Sequence, residues 1–320
     1  MAQGDLSALQ QRIIGALQVD GRATWRKIAQ VLDEHERTVA RQGSELLASK
    51  AITVAALRMR ESSVIMRLAC TPGTARLACE SLAQRADTTF SYMVTGVGDV
   101  VAEVICEAHA LNELLTLQVP STPGLISCST YPVLKYFRTI RGWRIGVLTA
   151  AEELALHTEL TQDDTRQQGV REAAARLTEN DELIIQALQR DGRASVEAVA
   201  RQVRLSESTV SRRIDWLIRN SHLAIRTLVE PEALGLNTEA LLWIHTAPHQ
   251  VEALGAALAR RPEVRYAAAV AGDCQLVADI TVANPAQLYD FLSDPSWSKS
   301  MTHLQSTMVL QARKRGGQLL

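Results

Sequence analysis

The tetrapeptide Asp-Gly-Arg-Ala occurs twice in this chain, at positions 20–23 and 191–194, and its surroundings repeat in register. At a constant offset of 171, Leu6 falls on Leu177, Ile13-Ile14 on Ile184-Ile185, Ala16-Leu17-Gln18 on Ala187-Leu188-Gln189, Arg41 on Arg212 and Leu57 on Leu228. From there the offset becomes 176: Ile65 to Leu68 meets Leu241 to Ile244, Pro72 meets Pro248 and Gly96 meets Gly272. The five added residues are expected in the loop from Glu230 to Asn237. Self-similarity over this length reads as an internal duplication. It constrains the fold strongly, because a core built by one half must be built again by the other. The 320 residues suffice for several such cores.

Each copy opens with a pattern for three short helices. Ile13, Ile14 and Leu17, and likewise Ile184, Ile185 and Leu188, form an apolar stripe at helical spacing. Gly21 and Gly192 suit a left-handed helix end, and Thr24 and Ser195 suit the cap of the next helix. That helix carries Ile28, Ala29 and Val31 in one copy and Val199, Ala200 and Val203 in the other. The third helix of the second copy, Ser206 to Asn220, puts Val210, Ile214 and Leu217 on one face. Its other face presents Ser208, Thr209, Ser211, Arg212 and Arg219. Short hydroxyls hold phosphate and arginine forks onto guanine, so this face suits a DNA groove. A solvated face on an ordinary bundle would read the same way. In the first copy His35 is a poorer cap than Ser206, and Gly43 stands where the second copy has Ile214, which is expected to thin that core.

The rest of each copy alternates between strand and helix signals in the order βαββαβ, an antiparallel sheet with two helices on one face. In the first copy the run is 64–70, 72–84, 88–95, 100–106, 108–118 and 125–135. The resulting reading is an α+β chain: two winged helix-turn-helix domains at 1–60 and 177–228, and two βαββαβ (ferredoxin-like) domains at 61–135 and 229–320. A linker at 136–176 would hold one short helix near Ala150 to Leu156, with Trp143 packing back on the first half.

Composition bounds the rest. Net charge is −1, so no global field marks a nucleic-acid or membrane partner and any basic face must be local. The five cysteines (Cys70, Cys79, Cys106, Cys128, Cys274) show no CxxC and no paired spacing, which reads as buried thiols in a reducing cytoplasm. No signal-like start and no apolar run of membrane-spanning length is present, so no membrane partner is expected. No nucleophile elbow, Walker loop, GxGxxG or HExxH occurs, and no metal-ligand spacing, so neither catalysis nor a cofactor is expected.

The helix-turn with Asp-Gly-Arg-Ala, the Ser-Thr-Val-x-Arg-Arg helix and the glycine-centred turn within βαββαβ together resemble the Lrp/AsnC (feast/famine) family of transcriptional regulators, in a tandem form with two helix-turn-helix and two sensing (RAM-type) domains. The resemblance covers nearly the whole chain apart from the linker. It implies double-stranded DNA as partner, contacted by Ser206, Ser208, Thr209, Ser211, Arg212 and Arg213, with Arg37, Thr38 and Arg41 as the first-copy counterparts. It also implies a small-molecule effector, typically an amino acid, near the strand turn at Gly96 and Asp99 and, in the second copy, Gly272, Asp273 and Gln275. There the acidic residue of the turn is lost, Asp273 being off register. Self-association through the sensing domains, to a homodimer or beyond, is implied as well, with pairing within or between chains left open. The same architecture occurs in sirohaem decarboxylases, which use histidine and arginine. The seven histidines here form no repeated constellation, and His245 is expected to be satisfied within the fold.

Overall fold

The computed structural model describes residues 6–58, 62–106, 108–140, 142–157, 177–220 and 222–320. Position 141 and positions 158–176 of the 136–176 linker therefore lie outside the described residues. The chain divides into two compact units, one of residues 1–59 and 144–234, the other of 60–143 and 235–320. Among the described residues, no helix is long and apolar enough to cross a membrane.

The first unit holds two three-helix sets. The first set is α1 (Ala8–Val19), α2 (Trp25–Leu32) and α3 (Glu36–Ala48), followed by β1 (Ile52–Arg58). The second set is α7 (Glu179–Arg190), α8 (Val196–Val203) and α9 (Glu207–Arg219), followed by β6 (Leu223–Val229). The apolar stripes bury as their spacing dictates: Ile13, Ile14, Leu17, Ile28 and Val39 in one core, Ile184, Leu188, Val210 and Leu217 in the other. Capping is local. Ser7 and Thr178 form capping boxes with Gln10 and Asp181, while Thr24 and Ser195 accept from Lys27 N and Ala198 N.

Neither set builds its own wing. β1 pairs antiparallel with β6, in register from Ile52 opposite Val229 to Arg58 opposite Leu223, so each strand completes the other's ribbon. The repeated tetrapeptide explains itself here. Arg22 donates to the carbonyls of Gly192 (2.7 Å) and Ala194 (3.0 Å), and Arg193 returns the same pair of bonds to Gly21 (2.7 Å) and Ala23 (3.0 Å). Asp20 and Asp191 hold each turn by accepting from Arg22 N and Arg193 N. The glycines do not serve as left-handed caps, since neither has positive φ. They serve close approach: a Cβ on Gly192 would stand 2.9 Å from the Val54 carbonyl.

Gly43 does not thin its core. The Trp25 ring occupies the place of the missing side chain, within 2.4 Å of where a Cβ would stand, whereas the second copy has Ile214 in its core and the smaller Val196 packed against that core. The short helix α6 (Ala150–Leu156) is no passive linker: Leu156 is fully buried in the first three-helix core, and Glu152 pairs with Arg12 at 2.6 Å.

The second unit carries β2 (Ser62–Cys70), α4 (Ala75–Gln84), β3 (Thr88–Val94), β4 (Val100–Cys106), the short α5 (Leu111–Glu113) and β5 (Leu125–Arg138). It continues with β7 (Thr238–Thr246), α10 (Val251–Ala259), β8 (Val264–Val270), β9 (Leu276–Val282), α11 (Pro285–Ser293), α12 (Pro295–Ser298), β10 (Met301–Arg315) and β11 (Gln318–Leu319). Where one regular helix was expected at 108–118, α5 sits in a run of single 3-10 and π turns. All strand pairs are antiparallel. β5 pairs with β2 through its first half and crosses to β8 with its second, while β10 pairs first with β7 and then with β3. The two long strands thus stitch the sheets at both edges. Trp143 packs on the second half, not the first: its indole donates to Pro262 O at 2.7 Å, and Arg265 lies over its ring. β5 had to run past the expected end at 135 to bring it there.

One face of each sheet carries helices, over cores centred on Met66, Leu82 and Val104 and on Leu242, Leu258 and Ile280. The other faces meet in a shared layer that includes Ile65, Tyr92, Val101, Tyr131, Leu241, Trp243 and Val277. This layer buries two acids at equivalent positions. Glu103 accepts from Ser63, Thr89, Tyr136 and Tyr266. Asp279 instead faces Glu239 and two arginines, and its Oδ1 finds no hydrogen-bond partner among the described residues. All five cysteines are free thiols; Cys128, expected to be buried, is only half-buried, packed at the margin of the core around Met66 and Leu82.

Candidate nucleic-acid interface

α9 starts where Ser206, in extended backbone, accepts from Thr209 N at 3.2 Å; its hydroxyl also lies 3.1 Å from that of Ser208 and 2.8 Å from that of Thr209. Val210, Ile214 and Leu217 anchor the opposite face. That anchoring fixes which residues look outward: Ser208, Ser211, Arg212 and Arg219 are exposed. Ser208, Ser211, Arg212, Asp215, Trp216, Arg219 and Asn220 line one open hollow of about 500 Å³. Among the described residues Arg212 makes no ion pair, so its guanidinium keeps all its donors.

Arg213 corrects the sequence reading. It points back across the bundle, donating through Nε (2.7 Å) and Nη2 (2.6 Å) to the two oxygens of Asp181 on α7, and stacks on Trp216. Burial pushes the Asp181 carboxyl up, but the bonds from Arg213 and Thr178 outweigh it and hold the group below the usual carboxylate range. Arg213 is therefore a brace of the second core and not an outward contact. Sequence missed this because adjacent arginines look alike until the helix is rotated against its core. The identity of Asp181 as the third residue of a Thr-capped helix was the available signal.

On α3, His35 makes no side-chain cap bond. Arg37 and Arg41 are exposed and Thr38 is half-buried, as on α9. Arg41, however, pairs with Glu45 at 2.8 Å, and Glu45 stands where α9 has Trp216.

The candidate effector residues do different work in the sheets. Asp99 Oδ2 accepts from Cys70 N at 2.7 Å, and at the equivalent place Gln275 Oε1 accepts from Thr246 N at 3.1 Å. Both thus tie a hairpin to the neighbouring strand end, which explains how a carboxylate and an amide interchange there. Gly96 takes φ +83 as the turn requires, and Gly272 packs flat against the Tyr131 ring. Asp273 is exposed. His245 meets a partner that the sequence concealed: β7–β10 pairing sets it opposite His303, ring centroids 5.1 Å apart.

Three-helix sets whose last helix offers hydroxyls and arginine, joined in one chain to βαββαβ sheets, define a helix-turn-helix protein with an accompanying ligand-binding fold. Residues 177–218 match the AsnC-type helix-turn-helix domain and residues 239–319 the Lrp/AsnC ligand binding domain. The chain carries, in its second half, both domains of the Lrp/AsnC family. A curated HTH-type transcriptional regulator of Mycobacterium tuberculosis is 32% identical over 42% of this chain and 93% of its own length. The regulator FL11 of Pyrococcus furiosus is 28% identical over 45% and 95%. These relatives therefore correspond to less than half of the chain. Over 96% of the chain, and 92% of the other, the fold is like that of the siroheme decarboxylase NirDL, with a TM-score of 0.62 at 11% sequence identity; at that identity the likeness concerns the fold.

Proposed function

We propose that the chain is a sequence-specific, DNA-binding transcriptional regulator and not an enzyme, built as a tandem duplication of an Lrp/AsnC unit. In this reading 1–60 and 177–228 are the helix-turn-helix domains, and 61–135 and 229–320 the sensing domains. The two halves pair within one chain as two subunits of an ordinary dimer would. The observation that carries the reading is the outward face of α9, where Arg212, without an ion pair among the described residues, stands beside exposed hydroxyls on a helix rigidly backed by its own core. Hydroxyls and backbone donors at the helix start hold phosphate while Arg212 reads a base edge. The names of the matched relatives support the same reading, under which the chain acts on DNA in the cytoplasm.

Duplex selection with the purified chain, followed by gel shift, tests it. Arg212→Ala is expected to weaken the selected site by about 1–3 kcal/mol while leaving non-specific binding nearly unchanged; an unaltered shift overturns the assignment. A small effector, an amino acid in the first instance, is proposed to act at the turns holding Gly96, Asp99, Gly272, Asp273 and Gln275, with Asp273 as the carboxylate open to an ammonium group. Exposed Ile126, Leu134 and Leu310 on the stitching strands favour further association between chains. A second reading, a sirohaem-decarboxylase-like activity, is favoured by the fold likeness and the facing His245 and His303. Incubation with sirohaem should give no Soret-region change if the regulator reading holds.

A further inference from the structure

We infer that the DNA site of this chain is a single asymmetric half-site read by α9 alone, with the first three-helix set acting as a pairing scaffold that disfavours phosphate. The inference rests on the regulator reading above. It comes from comparing two surfaces that the duplication made equivalent. Residues 204–220, the turn and reading helix of the second copy, present Arg204, Arg212 and Arg219 against Glu207 and Asp215, a net charge of +1, because Arg213 turns inward to Asp181. The equivalent residues 33–49 contain Asp33, Glu34, Glu36 and Glu45 against Arg37 and Arg41, a net charge of −2. The sign has reversed on the surface that would have to lie against a polyanion.

The placement of these charges strengthens the contrast. Asp33 and Glu34 are exposed in the turn before α3, where the second copy has Arg204 and Leu205, and they add to the exposed first-turn acid that both helices share, Glu36 and Glu207. Backbone donors at a helix start can hold phosphate only if phosphate can approach, and three carboxylates at that end oppose it. Ser206 caps its helix, whereas His35 makes no cap bond. Arg41, the counterpart of Arg212, has Glu45 one turn along. Even if Arg41 swings away from that exposed pair, the carboxylate stays on the face. Of the basic residues on α2, Lys27 is tied to Leu156 O at 2.8 Å and Arg26 remains exposed.

The first set is nonetheless held in place. The reciprocal Arg22 and Arg193 bonds and the seven-residue β1–β6 register lock it to the second set within one unit. Seating α9 in a groove therefore fixes where α3 lies, and α3 cannot be traded for a better reader without breaking the lock. A symmetric pair of equal readers calls for a palindrome; a locked pair with one reader calls for one half-site.

Duplex selection with the full-length chain, with native mass spectrometry for stoichiometry and footprinting for extent, tests this. The expected result is one selected block per bound chain without an inverted copy. Arg212→Ala should erase the selection and Arg41→Ala should leave it intact. The triple variant Asp33→Asn/Glu34→Gln/Glu36→Gln should tighten binding at low salt roughly tenfold, steepen the salt dependence and lengthen the footprint on one side. An inverted repeat occupied by a single chain, or an Arg41→Ala loss matching that of Arg212→Ala, overturns the inference while leaving the regulator reading standing. Failure of the chain to select any duplex overturns both.

Discussion

Trp25 and Gly43 should behave as one unit. The Trp25 ring fills the space above Gly43 and also receives the Arg193 guanidinium, 4.4 Å from its centroid. Trp25→Val would open that space. Full truncation of a buried Trp costs about 3–5 kcal/mol; for a partly buried ring that keeps a branched side chain, about 2–3 kcal/mol follows, cation–π contact included. Gly43→Ile alone would drive a side chain into the ring. Overpacking costs about 1–3 kcal/mol, offset by roughly 0.5 kcal/mol of helix propensity. Together the changes recreate the valine and isoleucine that the second copy has at the equivalent positions 196 and 214 of its core. The double variant should then lie within about 1 kcal/mol of wild type, where additivity would put it about 4 kcal/mol below. Urea unfolding followed by circular dichroism at 222 nm measures all four proteins. A double variant as unstable as its singles combined would refute the idea that the two positions exchanged volume.

Two buried carboxyls should respond to pH in opposite senses. Asp181 is held below its usual range, so its contribution is fully present at neutral pH and lost as pH falls through and below about 4. Asp181→Asn should cost about 2 kcal/mol at pH 7, less than a fully buried pair because Arg213 is 26% exposed, and should flatten the acid limb of a melting-temperature profile. Burial, followed by the neighbouring Glu239 carboxylate, pushes Asp279 well above its usual range. A raised acid costs stability as pH climbs through the unfolded carboxyl range near 4. Asp279→Asn keeps the shape of the protonated acid, so wild type should lose more melting temperature between pH 5 and pH 8 than the variant; equal slopes would show that the arginines ionise Asp279.

The sequence alone determined the repeat, its offsets, the helix sets and the βαββαβ order, because apolar spacing and capping residues act within a few positions of one another. It also singled out α9, since Val210, Ile214 and Leu217 leave only one face for Ser208 and Arg212. What it could not fix were relations between residues brought together by packing. Nothing local makes β1 choose β6 over a wing of its own, or sends the end of β5 to β8 and Trp143 with it. The same holds for Arg213, which turned inward to Asp181, and for Trp25, which filled the gap at Gly43. Such choices compare the free energies of alternative partners far apart in the chain, and only the assembled cores supply both sides of that comparison.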